Sequence, residues 1–365
     1  MPDAQLIRLV EDLVAIDSVN PDLVPGGAGE RTVAEFVARW LHAAGLEASV
    51  EEAAPGRPNA IGVLHGRGGG KTLLLNAHTD TVGFGRMERP LEPRVEGNRL
   101  YGRGAYDMKA GLAAVMLAAR ELAGAGLAGD VVVAAVADEE LGSVGTEAVV
   151  KRFRADGAIV PEPTDLALAV AHRGFVGFEV ETHGVAAHGS RPDLGVDAIA
   201  KMGPAIVALD RLDRQLQAGP RHPLLGTPAL HCSLIEGGQE LSTYPARCVL
   251  AGERRTLPGE TREDVERELR AALGDEVELR VSVSRDAYEC EPEAEIARLV
   301  AERAGVEPTG APFWTDAALL GAAGIPAVLY GPRGEGAHAD VEWVDLESVE
   351  TVRDVIFDVA RAFCG

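Results

Sequence analysis

Cysteine is sparse in this sequence and widely spaced. Cys232, Cys248, Cys290 and Cys364 are the four in 365 residues, and none forms a C-x-x-C pair. That excludes a disulfide framework and a cysteine-ligated metal site, and leaves buried reduced thiols as the plain expectation. No apolar run approaches the ~18 residues that a membrane helix needs. Residues 1–16 are acidic and amphipathic, with no basic leader and no A-x-A cleavage site, so a signal peptide is not expected and the cytoplasm is the expected location. Lysine is limited to Lys71, Lys109, Lys151 and Lys201. Arginine, alanine and glycine are common beside it, a pattern of coding bias rather than of function. The formal net charge of −22 is spread along the chain with no basic stripe, which argues against a nucleic-acid partner. Nor is there a polybasic or lipidation signal for a membrane surface. Internal repeats and low-complexity stretches are absent.

What is present is a long, 46% hydrophobic chain with periodic segments. It exceeds the usual size of one core, so two domains are expected. Helical periodicity covers residues 6–16, 31–44, 108–122 and 143–153. Strand-like runs cover 59–65, 72–77, 131–137 and 157–160. Strands alternating with helices predict a mixed, largely parallel α/β sheet sandwiched by helices. The pattern resumes with helices at 293–304, 315–323 and 345–363 and a strand at 327–330. Between the two blocks the order is strand 174–182, helix 196–216, strands 227–235 and 247–253, helix 261–273 and strand 277–285. This is a split βαββαβ unit. The expected organisation is a catalytic, metal-binding domain of residues 1–174 and 288–365, with an inserted α+β ferredoxin-like lid and dimerisation domain at 175–287.

The most informative local feature is Asp138-Glu139-Glu140, directly after the apolar run 131–137. Three like charges at the end of a buried strand repel, so water, a cation or a helix N-terminus must hold them. Capping of the helix that begins near Ser143 is the plain explanation. Other polar residues also follow strands. His78-Thr79-Asp80 comes after the strand 72–77, where ligands bind in parallel sheets; alone it could be a polar loop. Asp107, in a glycine-bounded segment, could be a helix cap. Glu162 is stiffened between Pro161 and Pro163, and His338 lies in a glycine-rich loop. Together they place two imidazoles and several carboxylates at one sheet edge. Such a set suits zinc, cobalt or manganese, and one bridging carboxylate can hold two ions ~3.5–4 Å apart.

The stretches Asn76-Ala77-His78-Thr79-Asp80, Gly102 to Gly111, Asp138-Glu139-Glu140, Glu162-Pro163-Thr164 and Ala337-His338 follow one another in an order that resembles a known family. It comprises acetylornithine deacetylase, succinyl-diaminopimelate desuccinylase, carboxypeptidase G and the aminoacylases. His188-Gly189-Ser190-Arg191-Pro192 and Arg255-Thr256-Leu257-Pro258-Gly259 match as well, so the resemblance covers nearly the whole chain. It implies two divalent metal ions per subunit, zinc before cobalt or manganese. His78 and Glu162 would complete one site, Glu140 and His338 the other, with Asp107 bridging. Glu139 would be the general base and Asp80 would orient His78. His188 would polarise the scissile carbonyl and Arg255 would grip a substrate carboxylate.

Two segments depart from the family pattern. Gly237-Gly238 is followed by residues 239–245 without the usual asparagine, which leaves Ser242 and Thr243 as substrate-contact candidates. The loop Pro312-Phe313-Trp314-Thr315-Asp316 is bulkier than usual, and Thr315 is the further candidate there. The implied activity is hydrolysis of the amide bond of N-acyl amino acids, acetylornithine deacetylase-like. A carboxypeptidase or dipeptidase of the same family, or a catalytically silent metal-binding relative, are the alternatives. The implied partners are a small N-acyl amino acid or short peptide and a second copy of the chain.

Overall fold

The computed structural model describes residues 2–365. The described residues divide into two compact units, one of residues 2–170, 290–309 and 315–365, the other of 171–289 and 310–314.

In the first unit, the apolar runs form the middle of a mixed sheet. Its strand order is Glu47–Ala54, Arg57–Leu64, Val131–Val136, Leu73–His78, Gly157–Val160, Ala327–Leu329 and Leu168–His172. Four of these strands, Val131–Val136, Leu73–His78, Gly157–Val160 and Ala327–Leu329, run parallel. Buried on both faces, a parallel strand needs continuous apolar sequence. Leu73, Leu74 and Leu75 are fully buried, as are Val131 and Val133. Each such side chain contributes about 1.5–3 kcal/mol of burial, which makes these strands a stiff platform. Helices cover the sheet. Ala110–Leu122, buried almost all round, packs against Leu346–Phe363, and Arg31–Ala43 packs on Arg57–Leu64.

Parallel alignment puts the carboxyl ends of the four strands at one edge, so His78, Asp138-Glu139-Glu140 and Pro161-Glu162 leave the sheet side by side. The expected helix from residue 108 begins later, at Ala110. Before it, Ala105–Lys109 forms a wide turn in which Asp107 and Met108 have non-helical backbone angles. Asp107 therefore does not cap the helix.

The second unit is a four-stranded antiparallel sheet in the order Ala229–Gly237, Arg247–Thr256, Gly174–His183, Glu278–Arg285. Helices Ala198–Gln217 and Arg262–Leu273 pack on it. Strand Gly174–His183 alternates buried and half-buried positions. Its inward residues Val176, Phe178 and Val180 meet Met202, Leu209, Leu250 and Leu269 in a core of this unit's own. The chain order is the βαββαβ of a ferredoxin-like fold. Among the described residues, no helix is long and apolar enough to cross a membrane.

Candidate metal centre

The residues that leave the sheet edge of the first unit converge. His78, Asp107 and Glu162 each offer one ligand atom, all within 4.8 Å of one another, and Asp107, Glu140 and His338 do the same. The Asp107 carboxylate is common to both clusters. Its Oδ1 lies 3.0 Å from His78 Nε2 and its Oδ2 lies 3.4 Å from His338 Nε2, which is also 3.0 Å from Glu140 Oε2.

The chemistry of this set fits two divalent cations. Among the described residues, Glu162 Oε1 is buried without a hydrogen-bond partner, and an orphaned buried carboxylate oxygen is costly unless something else satisfies it. Donors from imidazole and carboxylate alone, with no thiolate, suit hard or borderline ions. His78 and Glu162 would hold one ion, Glu140 and His338 the other, with Asp107 between.

The electrostatics describe the same crowding. Burial works against the His78 imidazolium, but the hydrogen bond with Asp107 and the charges of Glu162 and Glu139 outweigh it, so its pKa stands well above the usual value. His338 is pushed up to about 10 by its hydrogen bonds with Asp107 and Glu140. Burial would raise the Asp107 pKa, yet the bonds to His338 and His78 hold that carboxyl far below the usual range. Burial pushes Glu139 and Glu162 well up; the charge of Glu162 adds to the rise of Glu139, those of Asp107, Asp316 and Glu140 add to that of Glu162, and His78 offsets part of both. Burial also raises Glu140, with His338 partly offsetting it. Carboxylates in this state take a cation, or failing that a proton.

Asp80 differs from expectation in one contact. The other ring nitrogen of His78, Nδ1, is met by the Asp80 backbone carbonyl at 2.9 Å. The Asp80 carboxylate is 3.7 Å away and receives the backbone N–H groups of Glu139 and Glu140 instead. The tautomer of His78 is thus fixed by backbone.

Glu342 belongs to this centre and was not identified from the sequence. Its Oε1 accepts the backbone N–H groups of Tyr106 at 2.8 Å and Asp107 at 3.0 Å. Its Oε2 accepts from Gly104 N–H at 2.9 Å and from Arg103 Nη1 at 2.8 Å. Arg103 also donates to the Ala339 carbonyl, next to His338. One buried carboxylate therefore ties the Asp107 turn to the His338 loop. Asp316 was missed as well: it is buried, its Oδ2 accepts from Thr146 Oγ1 at 2.6 Å, and burial pushes its carboxyl up to about 6. Thr315 beside it is buried, and its hydroxyl accepts the Ala317 N–H.

The second unit carries the remaining candidates. His188 is exposed, with Nδ1 2.8 Å from Ser190 Oγ, and its backbone forms a bridge with Thr243. Gly189 N–H bonds to the Ser242 carbonyl at 2.6 Å. His188, Ser242 and Thr243 thus lie together. Arg255 lies on strand Arg247–Thr256, paired with Glu253 at 2.5 Å and set over the Phe175 ring.

Comparison with known proteins places these residues in a family. An acetylornithine deacetylase of Pectobacterium carotovorum is 30% identical over 375 residues, covering 98% of this chain and 97% of that protein. The fold matches a tripeptidase from Staphylococcus aureus with a TM-score of 0.81 at 20% identity, over 100% of this chain and 99% of the other. It also matches a dinuclear metal-binding peptidase from Bacillus subtilis with a TM-score of 0.75 at 18% identity, over 99% and 98%. Residues 74–362 match the description of peptidase family M20/M25/M40, and with the full-length relative at 30% identity the chain belongs to that family of hydrolases.

Proposed function

We propose that the protein is a two-metal amidohydrolase that cleaves the amide bond of N-acyl amino acids, as an acetylornithine deacetylase does. The observation that carries this reading is the pair of ligand clusters sharing Asp107, with the half-buried carboxyl of Glu139, its pKa raised, beside them. The full-length relatives bear the name acetylornithine deacetylase. Zinc is the proposed ion at both positions. Two divalent ions bound there would bring the pKa of a shared water towards ~7 and polarise the amide carbonyl.

The chain's own residues do the rest. Glu139, whose proton affinity is raised by burial and then by Glu162, takes a proton from the water and hands it to the leaving amine. The Asp80 carboxylate holds the Glu139 backbone in place. His188 polarises the scissile carbonyl, and Arg255 grips the substrate carboxylate, with Ser242, Thr243 and Thr315 as further contacts. The second unit serves as a lid and as the dimerisation surface. Its edge strand Ala229–Gly237 supports the latter, since it carries Leu234 and Ile235 exposed and an unpaired apolar edge invites a second copy. The proposed setting is the cytoplasm.

The test is turnover of zinc-loaded protein on a panel of N-acetyl amino acids, N-acetylornithine included, and dipeptides, with a chelator control. Chelator-sensitive release of acetate from one or more N-acetyl amino acids supports the reading. Cleavage of dipeptides alone makes the protein a peptidase, and no turnover on any member sinks the proposal. Sedimentation at micromolar concentration giving only monomer would remove the dimer.

A further inference from the structure

Among the buried polar residues of the first unit that the mechanism leaves unused are Asn20 and Arg57. Asn20 is fully buried and Arg57 is 5% exposed. The Asn20 side-chain oxygen accepts the backbone N–H groups of Asp22 and Leu23 at 3.1 and 3.3 Å. Its amide nitrogen has two hydrogens, and each goes to a different carboxylate. One reaches Asp80 Oδ2 at 2.8 Å and the other Asp138 Oδ1 at 2.9 Å. The backbone holds Asn20 in register, since its N–H donates to the Thr81 carbonyl and Thr81 N–H donates to the Ser18 carbonyl.

Arg57 closes the far end of this array. Its Nη2 lies 3.0 Å from the same Asp138 oxygen, its Nε donates to Glu30 Oε2 at 2.9 Å, and its Nη1 pairs with Asp22. The near end is the Asp80 carboxylate, which receives Glu139 N–H at 3.1 Å and Glu140 N–H at 3.3 Å. Asp138 itself has a φ of +71°, a left-handed conformation that a non-glycine residue keeps only when its surroundings impose it.

Asp80 and Asp138 are 1% and 3% exposed, so their repulsion is little screened. Buried carboxylate oxygens need hydrogen-bond donors. The single amide between them supplies one to each. Alanine at position 20 would leave both oxygens without that donor, and aspartate would add a third carboxylate.

We propose that Asn20 is a positioning residue for the hydrolytic reaction: its amide bridges Asp80 and Asp138 and so fixes the backbone of Glu139 and Glu140, with Arg57 anchoring the Asp138 end. The inference rests on the roles proposed for Glu139 and Glu140. It also gives Asp138 a task, since that carboxylate fastens the acidic triplet to the N-terminal loop.

The experiment measures kcat and KM of the zinc-loaded enzyme on its best substrate from the panel, with metal content determined for each variant. Asn20→Ala lowers kcat about 10–100-fold, the usual effect of removing such a partner, while KM stays within about threefold and both ions are retained. Asn20→Ser, which keeps one donor, recovers part of the loss. Leu13→Ala, which opens the fully buried face of helix Ala4–Val14, is the comparison for lowered stability alone and keeps wild-type kcat well below its melting temperature. Asn20→Ala and Asn20→Ser both within twofold of Leu13→Ala in kcat overturn the proposal. If Asn20→Ala is insoluble, Asn20→Ser decides by the same criterion. Glu139→Gln separates the two levels: if it is inactive and the Asn20 variants are normal, only this inference fails, whereas an active Glu139→Gln removes the reading beneath it.

Discussion

Replacing Glu342 by glutamine tests how far the metal centre depends on a residue that offers it no ligand atom. The carboxylate accepts four hydrogen bonds, two per oxygen, three of them from the backbone N–H groups of Gly104, Tyr106 and Asp107. A glutamine keeps one acceptor oxygen and presents an N–H₂ group to the other two donors. If that group faces Tyr106 and Asp107, two buried N–H groups lose their partner, at about 1–3 kcal/mol each. If it faces Gly104 and Arg103, those two donors lose theirs instead. Whichever way it faces, the neutral amide takes the counter-charge from Arg103, a guanidinium 2% exposed, and breaking a buried pair on one side costs about 3–5 kcal/mol, so the loss is at least about 3 kcal/mol. Because Asp107 is common to both clusters, zinc affinity falls as well, about 10–100-fold. Denaturant unfolding and competition with a chromophoric chelator read the two effects. Stability within about 0.5 kcal/mol of wild type, the range of an ordinary surface substitution, with unchanged affinity would show that the centre does not depend on Glu342.

Two further outcomes follow from the same site. Without metal, His338 is pushed up to about 10 and so carries a proton at pH 7, and His78 is raised well above its usual value. Binding through those nitrogens displaces the protons they carry, so loading releases about one proton or more; affinity therefore rises with pH through neutrality. Calorimetry in buffers of different ionisation enthalpy measures the release, and less than about half a proton contradicts it. Gly111→Ala places a Cβ 2.2 Å from the Pro161 carbonyl oxygen, closer than any real contact. The helix Ala110–Leu122 or the Glu162 segment must shift, so activity falls at least about 10-fold, on the scale of a misplaced reacting group; a crystal structure of the variant with Glu162 unmoved and full activity would count against it.

The parts of the fold legible in the sequence are those whose environment is uniform. Residues 73–75 and 131–136 are buried on both faces, and an unbroken apolar run states that directly. Strand Glu47–Ala54 was not legible, because it pairs on one side only and is largely exposed, with three glutamates in its eight residues. Asp107 looked like a helix cap because the turn Ala105–Lys109 leads into a helix without being one. The ligand residues stood out because histidines and carboxylates at strand ends have few other reasons to gather. Asn20 and Glu342 did not, since their partners lie 60 to 239 residues away and nothing in their own neighbourhood marks them.

The most direct test of the central claim is Glu139→Gln, assayed for turnover and for bound zinc on the same preparation. Glu139 belongs to neither ligand cluster, so the variant is expected to retain two ions per subunit while turnover falls by several orders of magnitude. Near-normal turnover with the metals in place would contradict it.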